Sequence, residues 1–111
     1  MELPNKSKAL VSPEKITDYL LSETHAVGKS KARYFRSFGF DENRATELAN
    51  TLLTIAQNEQ IVDSETTRYG TKYVIDGEFL APNGVMIQIR TIWIIEKMQD
   101  IPRFITAYPV E

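Results

Sequence analysis

The single histidine of this chain, His25, opens a segment in which positive charge is concentrated. Four cationic residues follow it within an eight-residue window: Lys29, Lys31, Arg33 and Arg36. No acidic residue occurs from position 24 to position 40. An imidazole exchanges protons near neutral pH, and clustered lysine and arginine side chains bind phosphate groups. The combination predicts a site for metal-free cleavage of a phosphodiester, centred on residues 25–36.

Two interpretations of His25 remain open at the level of sequence. In one, it is a surface histidine in a capping loop. In the other, it is functional, because Gly28 allows the backbone to approach a ligand closely and the amides that follow begin a helix, which favours an anion. Lys29, Lys31 and Arg33 are by themselves more typical of a solvated helix face than of a phosphate clamp.

Arg90 is unusual because it stands in the middle of a predicted strand among isoleucines. A charge in such a position must be paired or have a function. One interpretation is an ion pair with Glu78 or Glu96 across the sheet. The other is a guanidinium group on an open sheet face that binds the scissile phosphate through two hydrogen bonds.

The last predicted strand carries two hydroxyl side chains, Thr106 and Tyr108, on what the alternation predicts to be the same face as Phe104. Their hydroxyls suit a phosphate, and tyrosine suits a base, but both residue types are also common in strands.

The sequence offers no alternative kind of catalytic site. It has no cysteine and one histidine, its acidic residues match no metal pattern, and no glycine-rich phosphate loop occurs. We therefore predict no metal and no cofactor.

Length and charge limit the kind of protein this is. A chain of 111 residues fits one domain, residues 1–111. Its net charge of −2 argues against nucleic-acid binding over a broad surface and leaves room for a focal anion site. The longest apolar run is far too short to span a membrane, and the N-terminus lacks the character of a signal peptide. We expect no membrane span and a cytoplasmic protein, or a domain excised from a longer one.

The predicted fold class is α+β, with helices over about 12–58 and an antiparallel sheet over about 60–110. Ser12 and Pro13 predict the start of one helix, a second is expected over 28–38 with a stop at Gly39, and Asp41 predicts the cap of a third. Strands are expected over 71–80, 85–96 and 103–108, or four strands if a short one forms over 60–67. The helices should pack on one face of this three- to four-stranded meander.

Five segments together resemble an uncharacterised family of bacterial toxin-type domains: residues 3–5, 13–21, 25–35, 90–94 and 101–109. The family occurs stand-alone beside a candidate antitoxin. It also occurs at the C-terminal ends of contact-dependent inhibition proteins, haemagglutinin-like adhesins and phage head proteins. The resemblance covers nearly the whole chain. Its helix-then-meander order is similar to the barnase/EndoU/colicin/RelE group of metal-independent ribonucleases, whose sites lie on the open sheet face.

The resemblance implies a toxin ribonuclease, and the matched polar positions are His25, Lys31, Arg90, Thr91, Thr106 and Tyr108. We expect cleavage of RNA, with tRNA one candidate, by attack of a 2′-hydroxyl that leaves a 2′,3′-cyclic phosphate. His25 would be the general acid or base, Lys31 and Arg90 would stabilise phosphate charge, and Thr106 and Tyr108 would position the phosphate or a base. Lys29, Arg33 and Thr91 would bind substrate.

The expected partners are the RNA substrate and a cognate antitoxin or immunity protein, which would bind the toxin. A protein of this kind acts in the cytoplasm and could be delivered there as the tip of a larger secreted protein. Two alternatives do not involve catalysis. The chain could be a small module whose basic loop binds an acidic partner, or it could itself be an antitoxin or immunity protein, which the acidic second half would suit.

Overall fold

The computed structural model describes residues 1–110, which form three helices followed by a four-stranded antiparallel sheet. The predicted α+β class is confirmed. The helical part consists of α1 (Pro13–Lys15) with a π-helical turn (Ile16–Leu20), α2 (Lys29–Ser37) and α3 (Ala45–Asn58), with 3-10 turns at Lys6–Lys8 and Glu42–Arg44. The strands are β1 (Ile61–Thr67), β2 (Gly70–Leu80), β3 (Met86–Glu96) and β4 (Arg103–Pro109).

The first helix changes its hydrogen-bond pattern after one turn. The amide of Leu21 donates to the carbonyl of Ile16, five residues back, at 2.8 Å. This wider turn allows Ile16, Leu20 and Leu21 all to be buried in the core. Tyr19, in the same turn, stays only half-buried at the edge of that core.

The ends of the other two helices follow the predicted signals. Gly39 takes a φ of 103° directly after α2, a conformation that favours glycine. The Asp41 side chain accepts a hydrogen bond from the Asn43 amide at 2.9 Å and so caps the turn that leads into α3. In α3 the periodic apolar positions, among them Leu48 and Leu52, are buried.

The sheet has the strand order β1-β2-β3-β4, so β1 and β4 form its edges. Alternate residues of β3, including Ile89 and Trp93, are buried on the face covered by the helices. Their neighbours, including Arg90 and Ile92, point to the opposite face, which we call the open face. The N-terminal segment crosses the sheet, since the Met1 carbonyl accepts from the Ile61 amide of β1 and Leu10 forms a parallel bridge with Arg103 of β4.

A register shift in β4 changes which of its residues share a face. Trp93 is opposite Phe104 and Ile92 is opposite Thr106, so Ile105 is an extra residue in β4. Phe104 therefore packs against Trp93 in the core, with ring centroids 5.4 Å apart. The expectation that Thr106 and Tyr108 share the face of Phe104 was wrong, because simple alternation does not reveal a bulge.

No helix of residues 1–110 is both long and apolar enough to cross a membrane.

Candidate functional site

Tyr19 is the centre of a cluster that joins the helices to the edge of the sheet. Its hydroxyl lies 2.9 Å from the Thr106 hydroxyl, a contact between residues 87 positions apart in the chain. The imidazole of His25 meets the Tyr19 ring edge-on, with centroids 5.1 Å apart. The contact with Thr106 is possible because β4 is an edge strand of the sheet, and Tyr19 lies in the π-helical turn at the edge of the core.

Two lysines bring positive charge to the same tyrosine. The ammonium nitrogens of Lys15 and Lys31 lie 5.2 Å and 5.7 Å from the centre of the Tyr19 ring, within the range of cation–π attraction. Neither forms an ion pair with a carboxylate of residues 1–110. We call Lys15, Tyr19, His25, Lys31 and Thr106 the Tyr19 cluster. Two ammonium groups beside one ring, neither paired with a carboxylate of the described residues, make it an attractive place for an anion.

The His25 ring is held by backbone amides. Its Nδ1 accepts hydrogen bonds from the amides of Val27 and Gly28, at 3.0 Å each. An Nδ1 that accepts cannot carry a proton, so the neutral ring carries its proton on Nε2 and offers that N–H as a donor. His25 thus also caps the turn that enters α2, and proton exchange through the ring requires these two hydrogen bonds to break.

Gly28 is close to Tyr19 rather than to an open binding site. A Cβ atom at this position would overlap the Tyr19 carbonyl oxygen and would lie 3.2 Å from Tyr19 Cδ1. Glycine therefore allows the turn that carries His25 to pack on Tyr19. The close approach predicted for Gly28 exists, but its neighbour is the protein itself.

A cleft of about 650 Å³ opens beside the Tyr19 cluster and is lined by residues 10–15 together with the connection before β4 and the start of that strand. Lys15, Tyr19 and His25 lie along its border, together with Arg103. Glu14 also lines it; a hydrogen bond from the Ser12 hydroxyl holds the pKa of this carboxyl below its ordinary value. The cleft combines apolar walls with cations at its border.

Arg90 is paired with a carboxylate other than the two predicted. Its Nε and Nη2 donate to the two carboxylate oxygens of Asp76, at 2.8 Å and 2.9 Å. Asp76 stands directly opposite on β2, and this pairing, with a smaller effect from Tyr108, raises the pKa of Arg90. The expected partners Glu78 and Glu96 were wrong, because cross-strand register selects the residue opposite.

Arg90 still borders a shallow cleft of about 480 Å³, which it lines with Tyr108, Pro109 and Val110. Tyr108 is opposite Arg90, and Thr106 is two residues earlier on β4. Two residues of strand span about 7 Å. The open-face pair Arg90 and Tyr108 is thus next to the Tyr19 cluster along β4, but the guanidinium that was expected to bind phosphate is already bonded to Asp76.

The remaining cations of α2 lie elsewhere. Lys29 and Arg33 border a small hollow with Glu23 and Arg36, on a different side of the helix from Lys31. Arg36 donates to the Leu21 carbonyl, with Nη2 at 2.6 Å, and pairs with Glu42 and Glu23. Lys29 and Arg33 thus lie on a different side of α2 from Lys31, and their role in binding substrate stays a prediction.

Thr91 is a core residue in this structure. It is 0 % exposed, its hydroxyl donates to the Ile75 carbonyl at 2.7 Å, and it accepts from Trp93 Nε1 at 2.8 Å. A hydroxyl that is buried and bonded on both sides does not reach a ligand. We correct the assignment of Thr91 as a substrate-binding residue for this reason.

Comparison with known proteins places the chain in a family. A family model described as a domain of unknown function, DUF6883, matches residues 2–111. The chain belongs to the DUF6883 family. No curated protein matches it. A chain of the contact-dependent growth inhibition toxin–immunity protein complex from Klebsiella pneumoniae 342 is similar, with 23% sequence identity and a TM-score of 0.73. The match covers 96% of this chain and 97% of that one, and at this identity it concerns the fold.

In this DUF6883 domain the structure brings together three of the residues chosen from sequence, His25, Lys31 and Thr106, and adds two that were not. Neither Tyr19 nor Lys15 is among the residues that the sequence predicts for the site. The spacing of Lys15 and Tyr19, four residues apart on the first helix, could have indicated that they are neighbours. Nothing in the sequence indicated that both meet Lys31. Among residues 1–110 no group of histidine and acidic side chains is arranged to hold a metal ion.

Proposed function

We propose that this domain is a toxin ribonuclease that cleaves RNA at the Tyr19 cluster without a metal. The observation that supports this most is the convergence of Lys15, Lys31 and His25 on Tyr19, with both ammonium groups free of carboxylate partners among residues 1–110. The similar fold in a complex of a toxin with its immunity protein supports a role in a toxin–immunity system. The fold by itself does not define a reaction.

The proposed reaction is an in-line displacement at phosphorus. The 2′-oxygen of one nucleotide bonds to the adjacent phosphorus and gives up its proton, while the bond to the 5′-oxygen of the next nucleotide breaks and that oxygen gains a proton. The products are a 2′,3′-cyclic phosphate and a 5′-hydroxyl. Lys15 and Lys31 would bind the non-bridging oxygens, where negative charge increases in the transition state.

His25 would contribute in one of two ways. With Nδ1 bonded to the amides of Val27 and Gly28, its Nε2–H can donate to a phosphate oxygen or to the departing 5′-oxygen. As a general acid or base it must release those amides, and the arriving phosphate is itself a suitable acceptor for amides at the start of a helix. Thr106 would keep the Tyr19 hydroxyl in position beside the phosphate.

A non-catalytic role is the second candidate, and one observation favours it. The His25 side chain is occupied as a cap, which is a complete structural explanation for its position. Under this alternative the chain is a binding module, or an antitoxin or immunity protein, and Lys15 and Lys31 bind an acidic partner. The solved complex contains both a toxin and an immunity protein, so the similarity to one of its chains is compatible with either role.

Activity on RNA in the presence of a chelator distinguishes the ribonuclease from a non-catalytic binding module. We expect the purified domain to cleave total bacterial RNA with excess EDTA present and to leave 2′,3′-cyclic phosphate ends. Lys15→Gln and Lys31→Gln should each lower the rate at least about tenfold, the scale expected for loss of a group that stabilises transition-state charge. Lys72→Gln, an exposed lysine of β2, is the control that should cleave normally. Intact RNA, together with normal growth of cells that express the domain, would favour the binding module.

A further inference from the structure

We propose that the cleft beside the Tyr19 cluster binds one unpaired nucleobase of the RNA, and that Gln99 hydrogen-bonds the edge of that base. This inference rests on the proposed function and adds a substrate class to it. The phosphate bound to the cluster would belong to the same nucleotide, or to its neighbour, so the cleft would select where the strand is cut.

Part of the cleft wall is formed by exposed apolar side chains. Leu10 is 54 % exposed and Ile101 is 38 % exposed, and both line the cleft with Val11 and Phe104. The faces of nucleobases bind to such surfaces by stacking and by burial of apolar area. The volume of about 650 Å³ lies within the range of about 300–1,000 Å³ that is typical of small-ligand sites.

Hydrogen bonds from the backbone hold both walls of the cleft. The Leu10 amide donates to the Pro102 carbonyl and the Phe104 amide donates to the Leu10 carbonyl, each at 2.9 Å. The Asn5 side chain donates to the Asp100 carbonyl at 2.9 Å and ties the opposite wall to the N-terminal segment. The cleft is therefore formed before a ligand arrives, which lowers the entropic cost of binding.

The polar groups favour a nucleotide over a purely apolar ligand. Lys15, His25 and Arg103 line the cleft and would bind a phosphate there, and Glu14 is the acidic residue among the lining residues. The Gln99 amide side chain offers a donor and an acceptor, and no side-chain hydrogen bond within residues 1–110 occupies it. One amide group can thus pair with the edge of a base. A duplex hides base faces in its stack, so the expected ligand is an unpaired nucleotide.

Binding of uncleavable dinucleotides tests the inference. The probes are the four 2′-deoxy homodinucleotides, which lack the attacking hydroxyl, titrated into the 15N-labelled full domain and followed by amide NMR shifts. We expect shifts at Leu10, Gln99 and Phe104 and a preference for one base. Gln99→Ala should reduce that preference by about fivefold, the scale of one lost hydrogen bond. Leu10→Ser should weaken binding of all four probes.

Val62→Ser is the matched control, because Val62 is also 54 % exposed but lies on β1, at the opposite edge of the sheet. It should bind the probes as the parent does. Three results would overturn the inference without affecting the proposed ribonuclease activity. They are shifts confined to Lys15 and Lys31, an unchanged base preference in Gln99→Ala, and absence of binding while RNA is still cleaved. If probes bind in the cleft but RNA is not cleaved, the proposed reaction fails and the base site stands. Displacement of the probes by an acidic peptide, with no base preference, would instead assign the cleft to a protein partner.

Discussion

At the scale of single residues, His25 combines a structural and a chemical property that a substitution can separate. Its Nδ1 caps the turn into α2, while its Nε2 remains available beside the cleft. Asparagine is a good cap because its side-chain oxygen accepts from amides two and three residues later, the same pair that His25 binds. Alanine at this position removes both the cap and the Nε2 group, whereas asparagine keeps the cap and removes only the Nε2 group.

We therefore expect His25→Asn to keep the fold and to lose about 10²-fold or more in cleavage rate, the scale of a lost acid or base. His25→Ala should lose the same activity. It should also melt at a lower temperature, because loss of the cap lowers the free energy of unfolding by about 1 kcal/mol. Rates of RNA cleavage and thermal melts are the measurements. If His25→Asn cleaves like the parent, His25 is only a cap.

A substitution of Thr91 is expected to lower stability without changing the cleavage rate. Thr91→Val keeps the shape of the side chain but leaves the Trp93 N–H without an acceptor in the core. We expect a loss of about 1–3 kcal/mol in the free energy of unfolding, since an unsatisfied buried donor costs that much. Cleavage per folded molecule should not change. A lower cleavage rate with an unchanged denaturation midpoint would indicate that Thr91 does bind substrate.

At the scale of elements, the turn that precedes α2 must pack on the π-helical turn for the Tyr19 cluster to form. Gly28→Ala would insert a methyl group against the Tyr19 backbone and ring. We expect this variant to separate His25 from Tyr19 and to reduce cleavage about as strongly as loss of His25 itself. Ser30→Ala, an exposed change in the first turn of α2, is the control. Full activity of Gly28→Ala would show that the close packing of these two turns is not needed.

A second element-scale prediction concerns the ion pair that joins α2 to the turn before α3. The hydrogen bond from Arg36 lowers the pKa of Glu42 from its ordinary value near 4.5. The stabilisation is therefore complete above pH 4.5 and is lost as the pH falls through the lowered value. We expect Glu42→Gln to lower the melting temperature at neutral pH, and this difference should disappear in acid.

The control for this pair is Glu47→Gln, which removes an exposed pair with Arg44 within one stretch of helix. It should have the smaller effect, because Arg36 also bonds the Leu21 carbonyl and so connects three segments. A difference between parent and Glu42→Gln that stays constant with pH would contradict the electrostatic explanation.

At the scale of the whole molecule, the distribution of charge decides how much of an RNA the domain can contact. The register of the sheet places the carboxylates of Asp63, Glu65, Asp76 and Glu78 on the open face. The resemblance implied a site on that face, whereas the Tyr19 cluster with its two lysines lies at the β4 edge. The same register puts Lys72 and Arg90 on this face, but Arg90 is bonded to Asp76, so an RNA strand would be held mainly at the β4 edge.

Binding should accordingly depend only modestly on salt. With about three phosphate contacts, from Lys15, Lys31 and Arg103, the logarithm of the association constant for a single strand should fall with a slope of about −2 against the logarithm of salt concentration. The measurement is the affinity for an uncleavable oligonucleotide between about 50 and 200 mM salt. A slope several times steeper would indicate a broad basic surface and would contradict a focal site.

The sequence by itself determined the order of helices and strands, because the signals for them are local. Asp41 and Gly39 mark helix ends, and the alternation of Val85 to Glu96 marks a strand, whatever lies far away in the chain. It also located the cationic turn after His25. Only the tertiary structure decided which side chains meet. Tyr19 reaches Thr106 across 87 residues, Arg90 pairs with Asp76, and Thr91 is buried under the helices. These outcomes depend on strand register, on the bulge at Ile105 and on the π-helical turn, which arise from packing of distant segments and leave no local pattern in the sequence.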